Sequence, residues 1–271
     1  RTGLIVAFSG MVVSGRAADP VPDFPPGHCV VEGKIDKRLP SVVITHGWRF
    51  RNRDFHAPPE TISQLGQEIG NRLGIGESPG RRANIVYYVW PEASRPLYHG
   101  FWQVPEVVSA CRHAGNSTLG EGERLARELR RILGETYREP VHFIGHSFGA
   151  LVNAHAIRAL ADDSGWRCDV QFTMLDAAIR LTLLSQDGVK KLLPKTGRVR
   201  VLRVDNYIGA PLASVGSRLA GAGPDSLFGG GMRLARNHCG VIAYYRETIR
   251  DKGKRAGFQD SIILTKSAPI R

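Results

Sequence analysis

Five short runs of β-forming residues, separated by helix-patterned stretches, constrain this chain more than any other feature. Ser41–Thr45, Asn84–Trp90, Val141–Gly145, Val170–Asp176 and Val199–Asp205 are rich in Val, Ile, Phe, Tyr or Leu. Several are apolar almost throughout, the pattern of parallel strands covered on both faces rather than of a sheet with one wet side. Between them, Ile62, Leu65, Ile69 and Leu73 recur at helical spacing, as do Leu125, Leu129, Ile132 and Leu133. Leu151, Val152, Ala156, Ile157 and Leu160 mark a third helix, and Gly240–Arg250 a fourth. The alternation predicts an α/β fold: a mostly parallel central sheet with helices on both faces.

The 271 residues suffice for one large core. Leu4–Val13 is an apolar stretch followed by small residues, the shape of a secretion signal, so residues 1–18 are expected to be an N-terminally incomplete leader. Residues 19–40 are expected to be a Pro-rich lead-in and 41–271 a single catalytic domain. On that reading the protein is secreted or periplasmic. Cys29, Cys111, Cys168 and Cys239 could then form two disulfides in any of three connectivities. None of the four sits in a CxxC pair, which argues against zinc and redox chemistry. No apolar run approaches the ~18–20 residues that span a bilayer. A net charge of +12 is compatible with several anionic partners, but no nucleic-acid-binding motif accompanies it. Two stretches break the alternation: 91–115 shows no clean period, and 207–237 is rich in glycine.

Gly145-His146-Ser147-Phe148-Gly149 matches Gly-x-Ser-x-Gly. The bare pattern is weak in so glycine-rich a chain. Its context is specific, because a β-run enters it and a helix-patterned stretch leaves it, as in a nucleophile elbow. Such a turn projects the serine hydroxyl above the sheet and sets the next N–H and a helix N-terminus beside it. Ser147 is the expected nucleophile.

A serine needs a base, and the base an orienting acid, in the chain order Ser, acid, His. Only His155 and His238 follow Ser147, and His155 lies inside the elbow helix. His238 is therefore the expected base. Asp176 and Asp205 both end β-runs, and position alone does not separate them as the acid. One oxyanion donor is the N–H of Phe148; the turn after Val42–Thr45 offers the second at Trp48, with His46 expected to fix that turn.

The assembled segments resemble the pancreatic-lipase-like family of α/β-hydrolases, which includes lipases and type A1 phospholipases. The likeness is carried by Val42–Trp48, by Asn84–Trp90 with the following Pro-Glu-Ala-Ser, by Asn116–Gly120 as a helix start, by His142–Ala150, by Leu175–Ala178 and by Asn237–Tyr245. It implies the α/β-hydrolase fold, Asp176 as the acid, His238 as the base, and Trp48 and Phe148 as oxyanion donors. Ala177 stands where the family has proline, and Asp205 stays the alternative acid.

The same resemblance implies a lid within Gly209–Arg236, with Leu227 and Phe228 among its apolar residues. Tyr98, Phe101 and Trp102 would contribute to an acyl pocket. No C-terminal lipid-binding β-sandwich is expected, and neither a metal nor an organic cofactor. The implied activity is hydrolysis of a lipid or small carboxylic ester through an acyl-enzyme. An acyltransferase with the same triad and a non-catalytic lipid-binding relative are the alternatives. Arg49, Arg51, Arg53, Arg233 and Arg236 would rim the site and favour transient contact with an anionic membrane or lipid interface.

Overall fold

The computed structural model describes residues 27–47, 57–74, 82–90, 104–162, 165–177, 191–194, 197–207, 230–250 and 258–266, with side chains omitted at 104–112, 230–239 and 265–266. Among the described residues six strands form one sheet: β1 (His28–Val31), β2 (Ser41–Thr45), β3 (Asn84–Val89), β4 (Val141–His146), β5 (Asp169–Leu175) and β6 (Arg200–Tyr207). Their order is β1-β3-β2-β4-β5-β6. Only the β1–β3 pair is antiparallel; all other pairs are parallel. Strands β2 to β5 are buried along their whole length, which is why their sequences run apolar without strict alternation.

Helices cover both faces. On one side α2 (Val104–Leu133) and α3 (Phe148–Asp162) pack Leu125, Leu129, Leu151 and Ile157 onto Val43, Phe143 and Phe172. On the other, α1 (Glu60–Arg72), α4 (Gly230–Arg250) and the short α5 (Ile262–Lys266) pack Ile62, Leu65, Tyr245 and Ile263 onto Val42, Ile44 and Ile144. At ~1.5–3 kcal/mol for each fully buried large apolar side chain, these two layers are the main source of stability. Helix α3 is buried nearly all round because it lies between the sheet and α2.

Helices α1 and α4 run in the same direction. Arg246 bonds Gln64 at 2.7 Å and also Glu68, while Arg250 pairs with Glu68. At the far ends, Gln259 joins Arg72 to the carbonyls of Thr248 and Ile249. The α1 C-terminus meets the start of β3, where Arg82 N–H donates to Leu73 O at 3.1 Å. The N-terminal turns of α4 therefore lie toward the C-terminal edge of the sheet.

Four details differ from expectation. The segment expected as a lead-in contributes β1, whose four residues pair His28 with Val89 through Val31 with Val86. A strand that short leaves too little periodicity to be read. Helix α2 begins at Val104, inside the stretch with no clean period, so Asn116–Gly120 is helix interior rather than a helix start. Ser117 and Thr118 are tolerated there because their hydroxyls bond back to the carbonyls of His113 and Gly115, at 3.0 and 2.8 Å. Helix α4 likewise begins ten residues before Gly240, at Gly230. Finally, Cys29 is a free thiol, so the four cysteines do not form two disulfides. Burial and the nearby Glu128 push the Cys29 thiol far above its ordinary range, which favours the protonated form. Among the described residues no helix is long and apolar enough to cross a membrane.

Candidate active site

Ser147 is the first residue after β4 and immediately precedes α3. It holds φ at +55°, and Asp176, the first residue after β5, holds +45°. These are the only two non-glycine residues with positive φ among those described. Such backbone costs on the order of 1–3 kcal/mol per residue and persists only where the surroundings enforce it. The two are neighbours: His146 pairs with Leu175 in register, and Ser147 N–H donates to Leu175 O at 3.0 Å. Asp176 N–H in turn donates to Tyr207 O at 2.7 Å, which ties the end of β5 to the end of β6.

The motif's glycines are there for close approach. A Cβ on Gly145 would lie 2.5 Å from Ala150 Cα, and one on Gly149 would lie 2.4 Å from His46 O and 2.5 Å from Thr45 O. The elbow thus folds back on its own helix and presses that helix against the end of β2. Gly47 completes the junction, since its Cβ would lie 2.4 Å from Ser147 Cβ. The turn after β2 therefore touches the serine directly. Phe148 opens α3, among the N–H groups that have no partner within a helix.

His46 fixes that turn. Trp90 N–H donates to His46 Nε2 at 3.2 Å, which makes Nε2 an acceptor and puts the ring proton on Nδ1. Nδ1–H then donates to Gly47 O at 2.6 Å. Trp90 Nε1–H donates to His46 O at 2.8 Å, and the two rings stack at 6.0 Å. Both nitrogens of this buried imidazole are engaged in holding backbone.

Asp205 sits differently from Asp176. Strand β6 runs on to Tyr207, so Asp205 is two residues inside the sheet, opposite Thr173. Its carboxylate accepts from Arg203 Nε at 2.6 Å and from Gln171 Nε2 at 2.7 Å, with Thr173 Oγ1 at 3.5 Å. This group belongs to a half-buried polar network that sequence reasoning missed. Thr173 contacts His142 Nε2 at 2.8 Å, and His142 Nδ1 contacts Ser261 Oγ at 2.9 Å. Gln171 Oε1 accepts from Ile262 N–H at 2.9 Å, and Arg203 reaches Asp260. The network docks the segment 258–264 under the sheet. Burial first, then Arg203, lowers the His142 pKa from 6.5 to about 3, so the ring stays neutral. A signal was present: His142, Gln171 and Thr173 are polar residues at alternating positions in otherwise apolar strands.

His238 lies in α4, on the part extending toward the edge that bears Ser147; its side chain is outside the described residues, as is that of Cys239. Trp48, Tyr98, Phe101, Trp102, Leu227 and Phe228 are also outside them, as are Arg49, Arg51, Arg53, and the side chains of Arg233 and Arg236. The other histidine after the serine, His155, faces α2, where a Cβ on Gly122 would lie 2.4 Å from its own Cβ. Burial lowers its pKa. No group of three or more metal-ligating side chains occurs among the described residues.

No protein-family model and no curated protein matches the sequence. In structure the chain is similar to a lipase-esterase related protein from Clostridium acetobutylicum, at 14% identity and a TM-score of 0.27 over 56% of this chain and 47% of that one. It therefore spans about half of that protein's length. It is also similar to an IroE-like serine hydrolase from Shewanella oneidensis, at 13% identity and a TM-score of 0.29 over 80% of this chain and 72% of the other. A mostly parallel sheet layered by helices, with a strained Ser147 between a central strand and its helix, makes this an α/β-hydrolase fold.

Proposed function

We propose that the chain is a serine hydrolase that cleaves carboxylic esters of lipid type through an acyl-enzyme on Ser147. The observation that carries this reading is the pair of enforced positive-φ residues, Ser147 and Asp176, side by side at the ends of β4 and β5 and against Gly47. His238 acts as the base and Asp176 orients it. Asp176 is favoured over Asp205 because the Asp205 carboxylate already serves Arg203 and Gln171 inside the sheet. The preference for lipid-type esters rests on the motifs shared with the pancreatic-lipase-like family.

In this mechanism His238 takes the Ser147 proton as the hydroxyl attacks the ester carbonyl. The N–H groups of Phe148 and Trp48 hold the oxyanion, and His238 returns the proton to the leaving alcohol. Water then repeats the sequence and releases the acid. The His46–Trp90 clamp holds the backbone of His46 and Gly47 beside Ser147. Ser147→Ala is expected to abolish both fluorophosphonate labelling and hydrolysis of p-nitrophenyl esters, with its thermal transition retained. Labelling or turnover that survives in a clean preparation overturns the assignment. A panel of short and long acyl esters, with and without an interface, tests the lipid preference separately.

A further inference from the structure

Ser147 sits where the strands end; a group of four arginines sits where they begin. Arg138 precedes β4, Arg167 precedes β5, Arg198 precedes β6 and Arg200 opens it. Together with Cys168 and Asp169 these four arginines line an open cavity of about 320 Å³. The length of β4, roughly 20 Å at ~3.3 Å per residue, separates this cavity from the catalytic serine.

The arrangement is held by the fold. Arg167 N–H donates to Tyr137 O at 3.2 Å and Arg200 N–H to Cys168 O at 2.9 Å, so the backbones carrying the arginines are tied together. Buried Asp169 accepts from Arg200 Nε at 2.9 Å and from its terminal nitrogen at 2.6 Å, which aims that guanidinium. Among the described residues, Asp169 is the only acidic residue in the lining, against four arginines. Basic residues therefore predominate around one concave space.

Arginines that line one concavity favour an anion with more than one charge, which several of them can contact at once. A lone carboxylate would leave most of the charge uncompensated. Phosphate oxygens match guanidinium forks in geometry and supply two or more charges per group. The volume is at the lower end for small-ligand sites, and five of the six lining residues are charged, which disfavours an acyl chain. We propose that this N-terminal edge of the sheet is a binding site for a phosphate-type multivalent anion, distinct from the ester-cleaving centre.

The test uses the full chain in phosphate-free, low-salt buffer, with inorganic pyrophosphate titrated by calorimetry. Saturable binding of one pyrophosphate is expected. The variant Arg138→Gln/Arg167→Gln/Arg198→Gln should weaken it at least tenfold. A control, Arg38→Gln/Arg131→Gln/Arg158→Gln, removes the same formal charge from exposed arginines elsewhere and should leave binding within twofold. Circular dichroism checks that both variants are folded. Two sources share this chemistry, a soluble phosphoester and a phosphomonoester headgroup. Phosphatidylcholine vesicles doped with phosphatidic acid separate them. Recruitment lost only in the cavity variant identifies a headgroup site, and pyrophosphate binding without recruitment identifies a soluble anion. Absence of saturable pyrophosphate binding, or an equal loss in both variants, overturns the proposal.

Discussion

Replacing Gly149 by alanine tests whether the elbow and the end of β2 are packed as closely as the structure has them. The added methyl would lie 2.4 Å from His46 O, 2.5 Å from Thr45 O and 2.9 Å from the His46 carbonyl carbon. All three are backbone atoms, so no side chain can rotate away. Restoring ordinary contact near 3.5 Å requires α3 and the β2 terminus to separate by roughly 1 Å. Overpacking of this kind costs about 1–3 kcal/mol, of which helix propensity returns at most ~1. A domain of ordinary stability, about 5–15 kcal/mol, remains folded under that loss. The catalytic effect should be larger. The same separation pulls Ser147 away from the turn held by His46, and a displacement near 1 Å can cost about 100-fold in rate. Urea denaturation gives the stability change, and kcat/KM on a p-nitrophenyl ester gives the activity. Gly120→Ala is the reference, since a Cβ there meets nothing within 4 Å. It should gain up to ~1 kcal/mol with activity unchanged. If Gly149→Ala behaves like Gly120→Ala in both assays, the close approach is wrong and so is the geometry built on it.

Two further outcomes follow from the polar groups. Asp176→Asn should lower kcat by at least 100-fold with little change in melting temperature, whereas Asp205→Asn should destabilise by about 1 kcal/mol because a half-buried, charge-assisted network is broken. The reverse pattern would move the acid to Asp205. For His142, the folded ring resists protonation down to about pH 3, while the unfolded ring takes up a proton near 6.5. Its contribution to stability is thus complete above 6.5 and is lost as pH falls toward 3, at up to ~1.4 kcal/mol per pH unit. Urea midpoints from pH 6.5 to 5, above most carboxylate titration, should show this slope in the wild type. His142→Gln should be less stable at pH 7 and flatter across the same range; an unchanged slope would mean that the histidine is not the group titrating.

The periodicity that encodes strands and helices is local, and so it was legible in the sequence. Apolar runs such as Ser41–Thr45 and Asn84–Val89 had to be covered on both faces, and a Gly-x-Ser-x-Gly entered by a strand and left by a helix had few ways to fold. The reading of His46 as a prop for its turn also came from the sequence, but the Trp90 backbone and indole contacts that make it one join residues 44 apart. The two aspartates looked alike because each ends an apolar run. What separates them is where β6 stops: pairing through Leu175 and Tyr207 leaves Asp176 at the rim, in a strained conformation, and draws Asp205 two residues inward to Arg203. Likewise Arg138, Arg167 and Arg198 are scattered through sixty residues of sequence, and only parallel strand order brings their loops to one edge. The sequence alone determined the layered α/β fold and the elbow, because backbone periodicity and glycine spacing act over a few residues. Tertiary structure alone decided strand register, the fate of each buried polar group and the placing of charge at either end of the sheet, because those depend on contacts between segments that sequence order does not record.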